Sequence, residues 1–148
     1  MSEKQRILFL CTGNSCRSQL AEGWARHLKR ELLAPYSAGV EPKGMDPRAI
    51  KAMAEVGIDI SGQKSKHVDT LRGREFDYVI TLCDHAKETC PYFPAKTRVM
   101  NKGFDDPPRL AENAKDKEEA MGHYRRVRND IKAFVERLPG ALHRSYPL

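Results

Sequence analysis

The stretch CTGNSCRS, residues 11–18, separates two segments of different periodicity and constrains the fold more than any other part of the chain. Residues 7–10 before it form a short apolar run typical of a buried β-strand. After it, apolar side chains recur at helical spacing, as Leu20, Ala21, Trp24, Ala25, Leu28 and Leu32. The pattern predicts a strand, a tight polar loop and a helix, the unit from which parallel sheets are built.

The next part of the chain alternates in the same way between short apolar runs and helical patterns. Residues 36–38 and 77–82 are predicted strands, and residues 97–100 form a weaker fourth one. Between the second and third strands, Asp46 followed by a proline is a typical helix start, and Gly57 is a typical helix end.

A long amphipathic helix is predicted near the end of the chain, closed by Pro139 and Gly140. Its apolar stripe comprises Tyr124, Val127, Ile131, Phe134, Val135 and Leu138. The polar residues 108–122 suit either a mobile connection or a frayed helix start.

Alternating strands and helices predict an α/β fold, a three-layer αβα sandwich around a central, mostly parallel four-stranded sheet. No stretch has the composition of a linker, so residues 1–148 are expected to form a single domain.

Composition narrows the class of function. The net charge is +6, but basic residues alternate with acidic ones instead of forming a block, which argues against a nucleic-acid partner. No apolar run reaches the length of a signal sequence or membrane span, so we expect a cytoplasmic protein with no membrane contact. In that reducing compartment the four cysteines suit catalysis or metal binding better than structural disulfides. The even spread of charge favours a monomer.

Chemically active side chains follow three of the predicted strands. Cys11 comes after the first strand, Cys83 after the third, and Asp105 and Asp106 lie a few residues past the fourth. Ligands of open parallel sheets bind beyond the carboxyl ends of the strands. We therefore expect these groups to meet at one edge of the sheet.

The loop itself has the form C-x5-R, with Cys11 first and Arg17 last. Backbone N–H groups of a short loop entering a helix can converge on an anion, and Gly13 eases that geometry. Arg17 can hold two oxygens of a tetrahedral oxyanion, and the surrounding donors favour the thiolate form of Cys11, a nucleophile aimed at that anion. The expected oxyanion-binding residues are Thr12, Gly13, Asn14, Ser15, Cys16, Arg17 and Ser18.

Individual loop residues carry further expectations. Ser18 is placed to donate a hydrogen bond to the Cys11 sulfur, and Asn14 to brace the loop. Cys16 either fills the start of the helix or takes part in catalysis. No Gly-Lys-Ser/Thr follows, which excludes a Walker-type nucleotide loop.

Four segments together resemble a known family: CTGNSCRSQLAEGW, YSAG at 36–39, TLCDHAKETCP at 81–91 and FDDPP at 104–108. They are similar to the thioredoxin-coupled arsenate reductases, which share the fold of low-molecular-weight protein tyrosine phosphatases. The resemblance covers essentially the whole chain. The phosphatases have an aromatic pair after the aspartate–proline step, where this sequence has Pro108 and Arg109.

The resemblance implies a catalytic sequence and a set of catalytic residues. Cys11 would attack arsenate, assisted by Arg17, while Asp106 protonates the leaving oxygen. Cys83 would then attack Cys11 and release arsenite, and Cys90 would carry the disulfide to a small dithiol protein. Thioredoxin is the implied partner, with glutaredoxin and glutathione as the less favoured choice. No cofactor and no metal are required.

Two other functions stay open at this point. A phosphatase could use the same loop, with Cys83 and Cys90 only protecting Cys11 from irreversible oxidation. A redox sensor or phosphoanion-binding module without turnover is the other. A zinc site at Cys83, His85 and Cys90 is disfavoured because a second spaced pair of ligands is missing.

Some members of the family bind potassium, and this sequence matches their ligands at Asn14, Glu22 and Ser37. The fourth ligand, an aspartate, aligns with Lys66. An ammonium group would repel a cation, so we expect either no potassium site or a Lys66 side chain in its place.

Overall fold

The computed structural model describes residues 4–84 and 92–142. Its four strands are all parallel and lie in the order β2-β1-β3-β4. They are β1 (Gln5–Leu10), β2 (Leu33–Ala38), β3 (Tyr78–Thr81) and β4 (Arg98–Asn101). The helices are α1 (Arg17–Leu28), α2 (Pro47–Ala54), α3 (Pro107–Ala111) and α4 (Lys117–Glu136), with 3₁₀ turns at Val68–Leu71 and Gly140–Leu142.

The sheet is covered on both faces. Ile7 and Phe9 of β1 join a large apolar cluster with α1, α2 and α4. Leu8 and Leu10 point the other way, into a smaller cluster that includes the first 3₁₀ turn. All four side chains are fully buried, which explains why β1 is a continuous apolar run instead of an alternating one. The α/β sandwich expected from the sequence is confirmed.

Register brings the carboxyl ends of the strands together. Leu10 pairs with Ala38 of β2 and with Thr81 of β3, and Thr81 pairs with Asn101 of β4. The segments that follow these strands therefore begin at one edge of the sheet. Within the described residues no helix has both the length and the apolar character needed to cross a bilayer.

Two helix ends differ from the sequence prediction. Helix α1 ends at Leu28, and Leu32, expected on its apolar stripe, is 53% exposed. The chain has to leave the helix there because Leu33 pairs with Gln5 to start β2. Helix α2 ends at Ala54, three residues before Gly57, whose φ of 82° suits a residue without a side chain.

The polar residues 108–122 contain more helix than the sequence indicated. Helix α3 occupies their beginning, and α4 starts at Lys117, seven residues before the first residue of the predicted stripe. Asp116 caps α4 by accepting a hydrogen bond from the Glu119 N–H at 2.8 Å. The cap explains why so polar a segment is helical.

Tyr124 connects α4 to the start of α2. Its hydroxyl donates to Asp46 Oδ2 at 2.6 Å, while Asp46 Oδ1 accepts from the Arg48 N–H and caps α2. Burial, followed by the interaction with Asp46, raises the pKa of Tyr124 well above its ordinary value, so the hydroxyl stays a donor.

Replacing this hydroxyl tests its contribution to stability. Tyr124→Phe is expected to lower the free energy of unfolding by about 1.5–3 kcal/mol, the range for a hydrogen bond to a charged group. Urea denaturation measures the change. The matched control is Tyr36→Phe, because among the described residues the Tyr36 hydroxyl accepts only one exposed hydrogen bond, from Arg74 at 3.3 Å. Equal losses in the two variants would contradict this account of Tyr124.

Candidate active site

The loop between β1 and α1 forms the floor of a cavity of about 230 Å³. Cys11 leaves β1 and is 2% exposed, and Cys16 occupies the N-cap position of α1. The left-handed residue of the loop is Asn14, with φ of 46°, whereas Gly13 is not at a positive φ. The cavity is lined by Cys11, Thr12, Gly13, Ser15, Cys16, Arg17, Lys43, Asp106, Pro108 and Arg109.

A directional chain of hydrogen bonds ends on the Cys11 sulfur. The Lys66 backbone N–H donates to Asn14 Oδ1 at 2.8 Å, which orients the amide because an N–H cannot accept. Asn14 Nδ2 then donates to Ser18 Oγ at 2.8 Å. Ser18 Oγ lies 2.9 Å from Cys11 Sγ, and its own hydrogen is available for the sulfur. The hydrogen bond that the sequence predicted between Ser18 and the Cys11 sulfur is present, and Asn14, expected to brace the loop, bonds to Ser18.

Arg17 joins three segments that are distant in sequence. Its guanidinium is buried and donates to the carbonyl oxygens of Leu82 at 3.4 Å and Phe104 at 3.2 Å. Its Nε also lies 3.6 Å from Asp106 Oδ1. The loop after β1, the end of β3 and the Asp106 carboxylate thus meet around one cavity.

Cys83 lies beside this loop. It is fully buried directly after β3, and Thr12 Oγ1 donates to its sulfur at 3.9 Å. Cys83 is disulfide-bonded, whereas Cys11 and Cys16 have free thiols. The other predicted cysteine, Cys90, and His85 lie outside the described residues.

Cys16 has the environment of a structural cysteine. Burial, and then the nearby Asp46 carboxylate, raises the pKa of the Cys16 thiol well above its ordinary value. The side chain packs in the main apolar cluster with Leu20. Of the two roles considered for Cys16, the geometry favours filling the helix start, because a neutral buried thiol is a poor nucleophile.

The segment after β2 packs against the loop that begins at Cys11. The contact is made at Gly39, a residue that the sequence analysis did not single out. A Cβ on Gly39 would lie 2.6 Å from the Thr12 carbonyl oxygen, 2.7 Å from that of Cys11 and 2.9 Å from the Asn14 nitrogen. All three are backbone atoms, so no side chain can move aside. The YSAG motif contained this signal, since a glycine there allows close approach of two backbones.

The Lys66 ammonium lies beside Ser37, one of the residues that match the potassium ligands of some family members. Its ammonium donates to the carbonyl oxygens of Ser37 at 2.8 Å and Lys64 at 2.9 Å. Burial lowers the pKa of Lys66, and the Glu22 carboxylate partly opposes that change. Glu22 is itself bonded to the Ser37 hydroxyl at 2.6 Å and to Arg26 at 2.7 Å. Across the described parts of the chain, no group of three His, Cys, Asp or Glu residues could hold a metal ion.

The cavity thus combines a thiol loop, a closing arginine and a carboxylate, which is the arrangement expected of a phosphatase-like site. Residues 6–147 match the family described as low molecular weight phosphotyrosine protein phosphatase, and the chain belongs to this family.

The most similar relatives include arsenate reductases. That of Halalkalibacterium halodurans is 47% identical over 137 residues, 90% of this chain and 96% of the relative. That of Bacillus subtilis is 46% identical over 138 residues, 90% of this chain and 97% of the relative.

Solved structures agree with these relatives. An arsenate reductase in its phosphate-binding state has a TM-score of 0.74 at 32% identity, covering 94% of this chain and 99% of the other. The arsenate reductase of Archaeoglobus fulgidus has a TM-score of 0.69 at 29% identity, covering 90% and 98%. The resemblance drawn from the sequence motifs is confirmed.

Substitution of Gly39 tests how far the loop depends on its backing. Gly39→Ala is expected to weaken binding of inorganic phosphate by at least about tenfold, because its Cβ displaces the Cys11 and Thr12 carbonyls. Isothermal titration calorimetry measures the phosphate affinity, and thermal unfolding shows whether the variant stays folded. Gly62→Ala is the control, since a Cβ there meets nothing within 4 Å. Unchanged phosphate affinity in Gly39→Ala would show that the loop tolerates displacement.

Proposed function

We propose that this protein is an arsenate reductase that converts arsenate to arsenite through Cys11 and a relay over Cys83 and Cys90. The observation that carries the proposal is the placement of a second cysteine, Cys83, against the oxyanion loop, with Thr12 in contact with its sulfur. A phosphatase needs no thiol at that position.

The first step forms a bond between sulfur and arsenic. Arsenate binds over the loop, where Arg17 and the backbone N–H groups hold its oxygens. The Cys11 thiolate attacks the arsenic atom, and the bond to one arsenate hydroxyl group breaks. Asp106 supplies the proton, so that this oxygen leaves as water. Its carboxylate lines the same cavity as Cys11, which supports this role.

The second step transfers the electrons. The Cys83 thiolate attacks the Cys11 sulfur, an S–S bond forms, and the electron pair of the S–As bond stays on arsenic. Arsenic(V) becomes arsenic(III) and leaves as arsenite. Cys90 then attacks Cys83, which expels Cys11 as a thiolate and leaves a Cys83–Cys90 disulfide. The disulfide-bonded Cys83 and the free Cys11 of the structure are the states expected at this stage.

A dithiol protein completes the cycle by reducing the final disulfide. Thioredoxin is the proposed reductant, with glutaredoxin and glutathione as the alternative, and each belongs to a reducing cytoplasm. In this proposal the enzyme acts as a monomer, needs no cofactor and contributes to arsenical resistance. The potassium site of some family members is replaced by the Lys66 ammonium.

Single cysteine variants separate the relay steps. With thioredoxin, thioredoxin reductase and NADPH, Cys11→Ser and Cys83→Ser are expected to release no arsenite. Cys90→Ser is expected to release one equivalent per protein and stop as a Cys11–Cys83 disulfide, which mass spectrometry of tryptic peptides identifies.

Cys16→Ser changes the cysteine that is not part of the relay. Because the Cys16 thiol is buried and neutral, arsenite release by this variant should still end in a Cys83–Cys90 disulfide, and only the affinity for the anion should change. If the wild-type protein oxidises no NADPH but hydrolyses a phosphomonoester, the phosphatase function replaces this proposal. If Cys83→Ser turns over normally, the relay is wrong.

The role of Asp106 as general acid is tested by comparing its substitution with that of the adjacent Asp105. Asp106→Asn is expected to lower kcat by about 10²-fold or more, because the leaving oxygen would depart without a proton. Asp105→Asn is the control. Asp105 forms an exposed ion pair with Arg126 at 3.0 Å, and such a pair contributes little to stability. Steady-state kinetics from pH 5 to 9 compares the two. Similar losses in both variants would remove Asp106 from the acid role.

A further inference from the structure

We propose that Lys43, together with Arg109, forms a cationic rim that selects free tetrahedral oxyanions over their monoesters. The proposal deepens the proposed function and depends on the same cavity. Both residues line that cavity along with Cys11 and Arg17, although neither belongs to the C-x5-R loop.

The segment carrying Lys43 is attached to the catalytic loop by four backbone hydrogen bonds. The N–H groups of residues 40 and 41 donate to the Thr12 carbonyl at 3.0 and 2.9 Å. Those of Lys43 and Asp46 donate to the carbonyls of Gly13 and Ser15 at 3.0 and 3.1 Å. These bonds fix the position of the Lys43 backbone relative to the loop that is proposed to bind the anion.

The Lys43 side chain crosses the loop instead of extending away from it. Its Cδ would lie 3.3 Å from a Cβ placed on Gly13, and its Cγ 3.5 Å. An exposed lysine with no such contact would be an ordinary solvated side chain. Here the aliphatic stem lies against the loop, and the residue lines the cavity.

The charges of the cavity leave these two cations available. Arg17 is already engaged with two backbone carbonyls and with Asp106. The ion pairs found among the described residues include neither Lys43 nor Arg109, and the carboxylate that lines the cavity, Asp106, pairs with Arg17. The cavity therefore carries two further cationic side chains beside the Asp106 carboxylate, and their charge can act on an incoming anion.

Free oxyanions and monoesters differ at the oxygen that faces the mouth. In arsenate or phosphate this oxygen can accept a hydrogen bond from the Lys43 ammonium, which is stronger for a charged donor. In a monoester the same oxygen carries the organic group, which needs the space that the Lys43 stem occupies. The rim thus adds affinity for the free anion and hinders the ester.

Binding measurements with inorganic phosphate and phenyl phosphate test the rim without any turnover. Lys43→Met removes the charge and keeps the stem. It is expected to weaken phosphate binding by about tenfold and phenyl phosphate binding by less than about threefold. Lys43→Arg is expected to restore phosphate affinity to within about threefold. Isothermal titration calorimetry at three ionic strengths should also give a smaller salt dependence for Lys43→Met.

The control is Lys51→Met, on the exposed face of α2 and outside the cavity, which should change neither affinity. Equal losses for both ligands in Lys43→Met, or no loss for phosphate, would overturn the rim. Because these binding assays need no reductant, they test the rim independently of the proposed arsenate reductase activity. A wild-type protein that binds phosphate through Lys43 but reduces no arsenate would refute only the proposed function.

Discussion

The parallel register of β1 between β2 and β3 is the constraint on which the site depends. β1 is buried on both faces, and its last residue, Leu10, is aligned with the ends of both neighbouring strands. Cys11 and Gly39 therefore leave the sheet at the same level. A slip by one residue would turn the side chains of β1 to the opposite faces and separate the loop from its support.

Hydrogen bonds and charges around the Cys11 loop then determine the chemistry available at this edge of the sheet. Hydrogen bonds run in one direction from the Lys66 backbone through Asn14 and Ser18 to the Cys11 sulfur, and so prepare a site for negative charge. Arg17 connects the same loop to Asp106 and to the end of β3. The proposed attack, proton transfer and thiol exchange all use groups that these contacts hold in place.

Local sequence was informative where function depends on neighbouring residues. The spacing of Cys11, Ser18 and Arg17 between a strand and a helix predicted the loop and its hydrogen bond, because a loop this short allows few conformations. Helix ends were less accurate. Leu32 fits the helical stripe of α1, yet β2 has to begin at the next residue, and strand pairing outweighs the periodicity.

The sequence by itself determined the α/β class, the loop between the first strand and helix, and the family, since each follows from residue order over short distances. Only the tertiary structure decided that Gly39 is confined by three backbone atoms and that Lys43 borders the cavity. It also decided that the Lys66 ammonium lies on the Ser37 carbonyl. The physical reason is that these contacts join segments tens of residues apart, and no local pattern specifies which atoms meet once the sheet has formed.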